Sequence, residues 1–551
     1  MLPPDVVPAL CHEFHLASIG HRGQTEEVII DATSINTGEV IDADLCVVGA
    51  GPAGLTLARQ FIGTDHRVYL LEAGGERVDS AARELADGEV VGHPYTPLSE
   101  ARGMAVGGSS HLWEEWLRAR PLDQADFERR SWVEGSGWPF GAEELEPYYV
   151  EANGLLGLGP YDYGKRRGPL DDHVVGLEQV EFRYSNTFDF EKMRREIEAS
   201  ANVCLVIRAK AIELMTEKDG PRLSHVVASS APGHRFSVSS RVFTLAGGGI
   251  DTPRLMLASR SSSSRGVANS SGLVGAYFME HPTMRSGLVV PNRHEDQIWK
   301  AFELQRGEQF ASRLAIVPSE AAMERHGILN GMALVTPSDD VAGSDLLRSL
   351  AVVRDALGRR NTSGESALGH LANVVRRSPH LPKVVGAGRF YRPKPRFRLS
   401  ITVEQEPRRQ SRVILSDQVD RFGIPRAAID WRPGQLERKT VRTLQGLIDR
   451  ALDDRGLGRV VSTLGEEFPP RAFRGEWHQL GTTRMASSAG AGVVDEHGRT
   501  HDLDNLYIAG GSVFPTVGYA NPTLTIVALA LRLAARLDTV LSRQASLGPI
   551  W

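Results

Sequence analysis

Cysteine is scarce. Cys11, Cys46 and Cys204 are the only three in 551 residues, and they stand far apart without metal-ligand spacing. That scatter argues against a disulfide framework and against a zinc site, so no metal is expected and a reducing, cytoplasmic setting fits best. Long apolar runs are missing too. No stretch reaches the roughly eighteen apolar residues that a membrane-crossing helix needs, and the N-terminal MLPPDVVPALCHEF lacks a basic segment followed by an apolar one. The expectation is a soluble protein with no membrane partner. Positive charge is not in excess either: 63 Lys and Arg stand against 68 Asp and Glu, a net charge of -5, which leaves no electrostatic case for nucleic acid. The sequence is silent on oligomeric state.

What is present is glycine in the right places. From Asp44 to Glu76 the chain reads DLCVVGAGPAGLTLARQFIGTDHRVYLLEAGGE. An apolar strand, Leu45 to Val48, leads into a glycine-rich turn and a helix, and a second apolar strand, Val68 to Leu71, ends in Glu72. Gly49 permits the tight turn, Gly51 lets backbone approach a pyrophosphate, and Gly54 lets the helix pack on the strand; Pro52 and Ala53 open the helix. Its N-terminus offers free N–H groups and a positive dipole end. Glu72 follows Gly49 by 23 residues, where a carboxylate can accept the hydrogens of a ribose diol. By itself this unit suits NAD and FAD equally.

At 551 residues, about two to four structural units are expected. Residues 1–39 form an N-terminal extension, with an edge strand near Val28 to Ile30. A second glycine cluster, Arg102 to Ser110, pairs Gly107 and Gly108 with Ser109 and Ser110, a composition suited to a loop whose backbone lies against a flat or anionic ligand. His111 and Trp113 follow it. Strands are expected over 203–215 and 235–246, the second ending in Ala246 and Gly247 before another helix. From 291 to 469 the character changes to a second, substrate-covering part, with strands near 327–335, 396–404 and 411–415 and arginine-bearing helices within 344–377. Residues 40–290 and 470–551 are assigned to one discontinuous nucleotide-binding part, and segments of 90–200 lend loops to the substrate side.

The C-terminal segment reads WHQLGTTRM from Trp477 and NLYIAGGSVFPTVGYANPT from Asn505. Asn505 to Ala509 form a short buried strand, Gly510 and Gly511 a tight turn, and Asn521, Pro522 and Thr523 the start of a long apolar helix. Such a helix end can stabilise negative charge on a reduced ring. His478 stands 43 residues before Asn521.

These motifs, in this order, resemble the glucose-methanol-choline (GMC) oxidoreductases, and within them the pyranose oxidase and bacterial sugar or glycoside 3-oxidase branch. The resemblance implies an α/β fold: a Rossmann-like FAD-binding domain and a second α+β substrate domain built on an antiparallel sheet. It implies FAD as cofactor, a sugar or glycoside as substrate, and O₂ or another electron acceptor. Carried over, His478 is the base that removes the hydroxyl proton as hydride leaves the carbon, and Asn521 positions the same oxygen. Asn521 also reads as a plain helix cap, and the two roles are compatible. Relatives that attach FAD covalently use a His just before the Trp of the second glycine loop; here Leu112 holds that place, so non-covalent FAD is expected. By the same likeness, His111, Trp113 and Gln405 are candidate substrate contacts. The preferred reading is oxidation of a pyranose or glycoside secondary alcohol, at C2 or C3, to a ketone. Other readings are a GMC enzyme acting on a non-sugar alcohol, a flavoprotein lyase, and a flavin-binding scaffold without turnover.

Overall fold

The computed structural model describes residues 29–337 and 397–546, apart from 114–116, 165, 167, 172–173, 186–189, 219, 293–294, 466–467 and 469–471. The expected arginine-bearing helices at 344–377, and most of the N-terminal extension, lie outside the described residues. No helix of the described residues is long and apolar enough to cross a membrane.

The described residues form two eight-stranded sheets and one three-stranded sheet. The first sheet runs Ile29–Asp31, Val203–Ile207, Val68–Leu71, Val40–Val48, His234–Leu245, Leu223–Ala231, Lys210–Thr216, with Leu506–Ile508 also paired to His234–Leu245. The strands around Val40–Val48 are parallel, because helix Pro52–Arg59 carries the chain back across the sheet before Val68–Leu71. Helices cover this core, so the C-terminal half of Val40–Val48 reads as a continuous apolar run. A Cβ on Gly54 would lie 1.9 Å from the Gly49 carbonyl oxygen, so helix and strand approach each other as closely as glycine allows. The long helix Thr523–Ser546 packs on Pro52–Arg59 and on Ala142–Leu155. It buries Leu524, Val527, Ala530, Leu537 and Leu541, and so ties the far end of the chain to its first nucleotide-binding turn.

The second sheet is antiparallel throughout and runs Gly458–Ser462, Thr283–Pro291, Phe397–Val403, Gly331–Pro337, Ala311–Pro318, Leu177–Ser185, Leu117–Ala119, with Gln305–Arg306 at its margin. The expected fold class, a Rossmann-like α/β unit with an α+β unit on an antiparallel sheet, is the one found. The partition along the chain differs. Leu117–Ala119 and Leu177–Ser185, in the segment expected to lend loops, are strands of this antiparallel sheet, and Thr283–Pro291 joins it before residue 291. The burial of Leu177–Ser185 is not strictly alternating, and no local pattern reveals the sheet a strand pairs with. Likewise Arg412–Val419, expected within the substrate part, forms the small third sheet with Pro425–Asp430 and Gly88–Val90.

Candidate active site

A cavity of about 1350 Å³, counting its open mouth, lies between the first glycine turn, the second glycine loop and the C-terminal segment. Gly49, Gly51, Pro52, Ala53, Glu72, Arg102, Gly108, Ser109, Ser110, Trp113, Ala246, Gly247, Gly510, Gly511, Pro522, Thr523 and His478 all line it. The sequence motifs, some more than four hundred residues apart, therefore meet at one surface. Gly54 and Gly107 stand behind that surface. Gly107, at φ +97°, turns the second loop so that Gly108 faces Gly51; a Cβ on Gly108 would lie 2.9 Å from the Gly51 Cα.

Glu72 is buried at the end of its strand, where Oε2 accepts the Ala50 N–H at 3.0 Å and Oε1 the Gly74 N–H at 2.9 Å. Burial pushes its pKa up, against the lowering effect of the two amides. Arg102 lines the cavity, but its guanidinium is held by Asp251 at 2.6 Å and the Ala86 carbonyl at 2.7 Å, so its charge braces the loop. Lys210, which motif reading passed over, also lines the cavity, and burial lowers its pKa to about 8.

These residues fit a dinucleotide flavin. Helix Pro52–Arg59 has no side-chain cap at Gly51, so its first N–H groups face the cavity uncapped. Thr252 Oγ1, on the cavity wall, is buried without a hydrogen-bond partner among the described residues. The acid, the glycine backbone and the helix end are the donors and acceptors that ribose and pyrophosphate require.

Asn521 is not on the cavity wall itself but abuts His478. Its Nδ2 lies 3.3 Å from His478 Nε2, and its Oδ1 accepts from Arg118 Nε at 2.7 Å. The amide is thus spent on these two side chains, not on capping the helix behind it. His478 is partly buried at the cavity wall, and desolvation, then the neighbouring His281 and Arg118, holds its pKa well below the ordinary imidazole value. Trp477, immediately before it, has φ +62°, a conformation rare for a large side chain. It is 40% exposed, lines the cavity, and donates its indole N–H to Thr96 Oγ1 at 3.0 Å. The same turn is held from behind by Glu280, which accepts the Glu476 N–H at 3.1 Å and the Tyr95 hydroxyl.

Of the three expected substrate contacts, Gln405 and His111 are corrected. Gln405 is fully buried. Its Oε1 accepts from Trp431 Nε1 at 2.7 Å and the Glu280 N–H at 3.0 Å, and its Nε2 donates to the Phe278 carbonyl, so it is a scaffold residue. His111 is exposed outside the cavity, and its Nε2 pairs with the Val106 carbonyl at 2.7 Å, folding the glycine loop on itself. Trp113 does line the cavity, but it packs against Phe190 at 5.7 Å between ring centres and belongs to the apolar wall. Sequence reasoning missed Arg118 and His281. Arg118 sits in a short strand whose pairing the sequence does not reveal, and His281, in FMEHP, stands where only tertiary structure brings it to His478.

Residues 407–530 match the family model of the GMC oxidoreductases. The chain is 25% identical to a 2-methyl-1,2-propanediol dehydrogenase of Mycolicibacterium austroafricanum, over 89% of this chain and 94% of that protein. It is 25% identical to the fructose dehydrogenase large subunit of Gluconobacter japonicus, over 90% and 98%. A shorter match, 31% identical over 25% of this chain and 26% of the other, is to a C-glycoside 3-oxidase of Arthrobacter globiformis. Among solved structures, a pyridoxine 4-oxidase shares the fold with a TM-score of 0.52 at 17% identity, over 90% of this chain and 99% of that one.

Proposed function

We propose that this chain, which belongs to the GMC oxidoreductases, oxidises alcohols and takes FAD as its cofactor, acts on a secondary alcohol of a pyranose or glycoside, at C2 or C3, to give the ketone. The observation that carries this reading is the contact of Asn521 Nδ2 with His478 Nε2 at 3.3 Å, beside the cavity wall. An Nε2 that accepts from an amide holds a lone pair, which a substrate hydroxyl reaches by displacing the amide N–H, and the lowered pKa keeps the ring neutral at neutral pH to take the proton. Asn521, oriented by Arg118, donates to that hydroxyl oxygen and holds the carbon in place. When bound, FAD supplies the acceptor for the hydride that leaves the same carbon.

Two further features support a sugar. Trp477 offers an exposed indole face at the cavity beside the base, suited to the apolar C–H face of a pyranose. The similarities to a fructose dehydrogenase subunit and to a C-glycoside 3-oxidase point the same way. The full-length likeness to a 2-methyl-1,2-propanediol dehydrogenase favours a second reading, a small aliphatic alcohol. Exposed His111, locked to Val106 instead of facing the cavity, supports non-covalent FAD. The test is an anaerobic screen of monosaccharides, glycosides and aliphatic diols for bleaching of the flavin absorbance, followed by air. Bleaching by glycosides or pyranoses supports the proposal, bleaching by diols alone selects the second reading, and rapid recolouring in air identifies an oxidase.

A further inference from the structure

We infer that His281 is a positioning residue that sets the tautomer of His478, forcing the proton onto Nδ1 of His478 and leaving the lone pair on Nε2. The inference rests on the reading of His478 as the base, and deepens it. The two segments are in register: Met279 and Leu480 exchange both backbone hydrogen bonds, at 2.9 and 3.0 Å, in an isolated antiparallel bridge. Two residues further along each strand, His281 and His478 face each other. Their Nδ1 atoms are 2.8 Å apart and their rings meet edge to face at 4.9 Å between centres.

At that distance one Nδ1 must donate and the other accept. The choice is made at the far ends of the chain of contacts. His281 Nε2 meets the Val517 carbonyl at 3.3 Å, and a carbonyl only accepts, so the proton of His281 is on Nε2 and its Nδ1 is the acceptor. His478 Nδ1 must then carry the hydrogen. On the other side, Arg118 Nε only donates, so it takes Asn521 Oδ1 and turns the amide NH₂ toward His478 Nε2. A carbonyl at one end and a guanidinium at the other leave one consistent assignment. A neutral His281 is required, and burial lowers its pKa to about 4. The charges around it leave the arrangement in place: Glu404 is bound by both Arg130 terminal nitrogens at 2.6 and 2.7 Å, and Glu280 is occupied by Tyr95 and the backbone N–H groups of His281 and Glu476. The logic is that of a catalytic imidazole held in one tautomer by a buried partner.

The test uses the FAD-loaded enzyme with ¹⁵N-histidine, its His478 signals assigned by their loss in His478→Ala, and three forms: wild type, His281→Gln and His281→Leu. Gln can accept from His478 and donate to Val517, whereas Leu can do neither. Long-range ¹H–¹⁵N spectra should show Nδ1-protonated His478 in wild type and His281→Gln, and a mixed or Nε2-protonated ring in His281→Leu. Flavin reduction at saturating substrate should slow by about 10- to 10³-fold in His281→Leu, with half-saturation changed less than about twofold, and recover most of its rate in His281→Gln. An Nε2-protonated His478 in wild type overturns the inference whether or not any variant folds. So does a His281→Leu enzyme that keeps the wild-type ring signature. A changed signature with an unchanged rate supports the tautomer lock and removes His478 from the chemistry, which separates the two readings.

Discussion

Arg118 Nε donates to Asn521 Oδ1 at 2.7 Å, across 403 positions of sequence, and decides which end of the Asn521 amide faces His478. Replacing Arg118 by Met keeps the stem but frees the amide to turn. Flavin reduction is expected to slow by roughly 10- to 100-fold, the worth of a hydrogen bond to a charged group, with FAD content unchanged. Stopped-flow reduction checks this; a rate within twofold of wild type would show that the amide is held by other means.

His478→Ala removes the proposed base without touching the glycine turns. The variant should stay yellow while its reduction slows by about 10² to 10⁴ fold. An unimpaired rate would rule His478 out as the proton acceptor.

Because Leu112 precedes Trp113 and His111 is tied to Val106, FAD should be released by acid. Acid precipitation followed by absorbance of the supernatant measures this, and flavin retained in the pellet would point to a covalent link.

Glu72 spends both oxygens on backbone N–H groups of the two turns that border the cavity, Ala50 and Gly74. Glu72→Ala should loosen both turns and remove the ribose acceptor, so FAD should separate from protein on gel filtration under conditions where wild type keeps it. Equal retention would refute that role.

Glu280, buried between Tyr95 and the backbone of His281 and Glu476, has its pKa pushed up by desolvation to about 7. A carboxyl with a raised folded-state pKa keeps its proton in the fold after the unfolded chain has lost it. Its contribution is therefore most favourable below the ordinary value near 4.5 and is lost as pH rises toward 7. His281, lowered to about 4, acts oppositely between about 4 and its ordinary 6.5, so the wild-type slope is a sum. The difference isolates Glu280: between pH 5 and 8 the melting temperature of wild type should fall further, or rise less, than that of Glu280→Gln. Parallel profiles would show that Glu280 is not the group titrating.

Much of the site was legible because its motifs are local. The turn from Gly49 to Gly54, the acid at Glu72, the Gly107 and Gly108 pair and the Asn521–Pro522 helix start each carry their physical reason within a few residues. Gln405 and His111 misled because a polar side chain near a motif reads the same whether it faces a ligand or the scaffold. Only the partners, Trp431 and Glu280 for Gln405 and the Val106 carbonyl for His111, decide between those. Asn521 reads as a site residue that also suits a helix cap, and the partners of its amide are Arg118 and His478.

By itself, then, the sequence determined a dinucleotide-binding unit, since strand periodicity, glycine placement and helix-end chemistry are all short-range, while the fold class, the flavin and the pairing of one histidine with one asparagine came with its resemblance to the GMC oxidoreductases. Tertiary structure decided which groups surround that pair. The register of Met279 against Leu480 that sets His281 on His478, and the strand that delivers Arg118 to Asn521, arise from contacts between distant segments. Such contacts depend on how sheets pair and helices pack, and no local pattern encodes them.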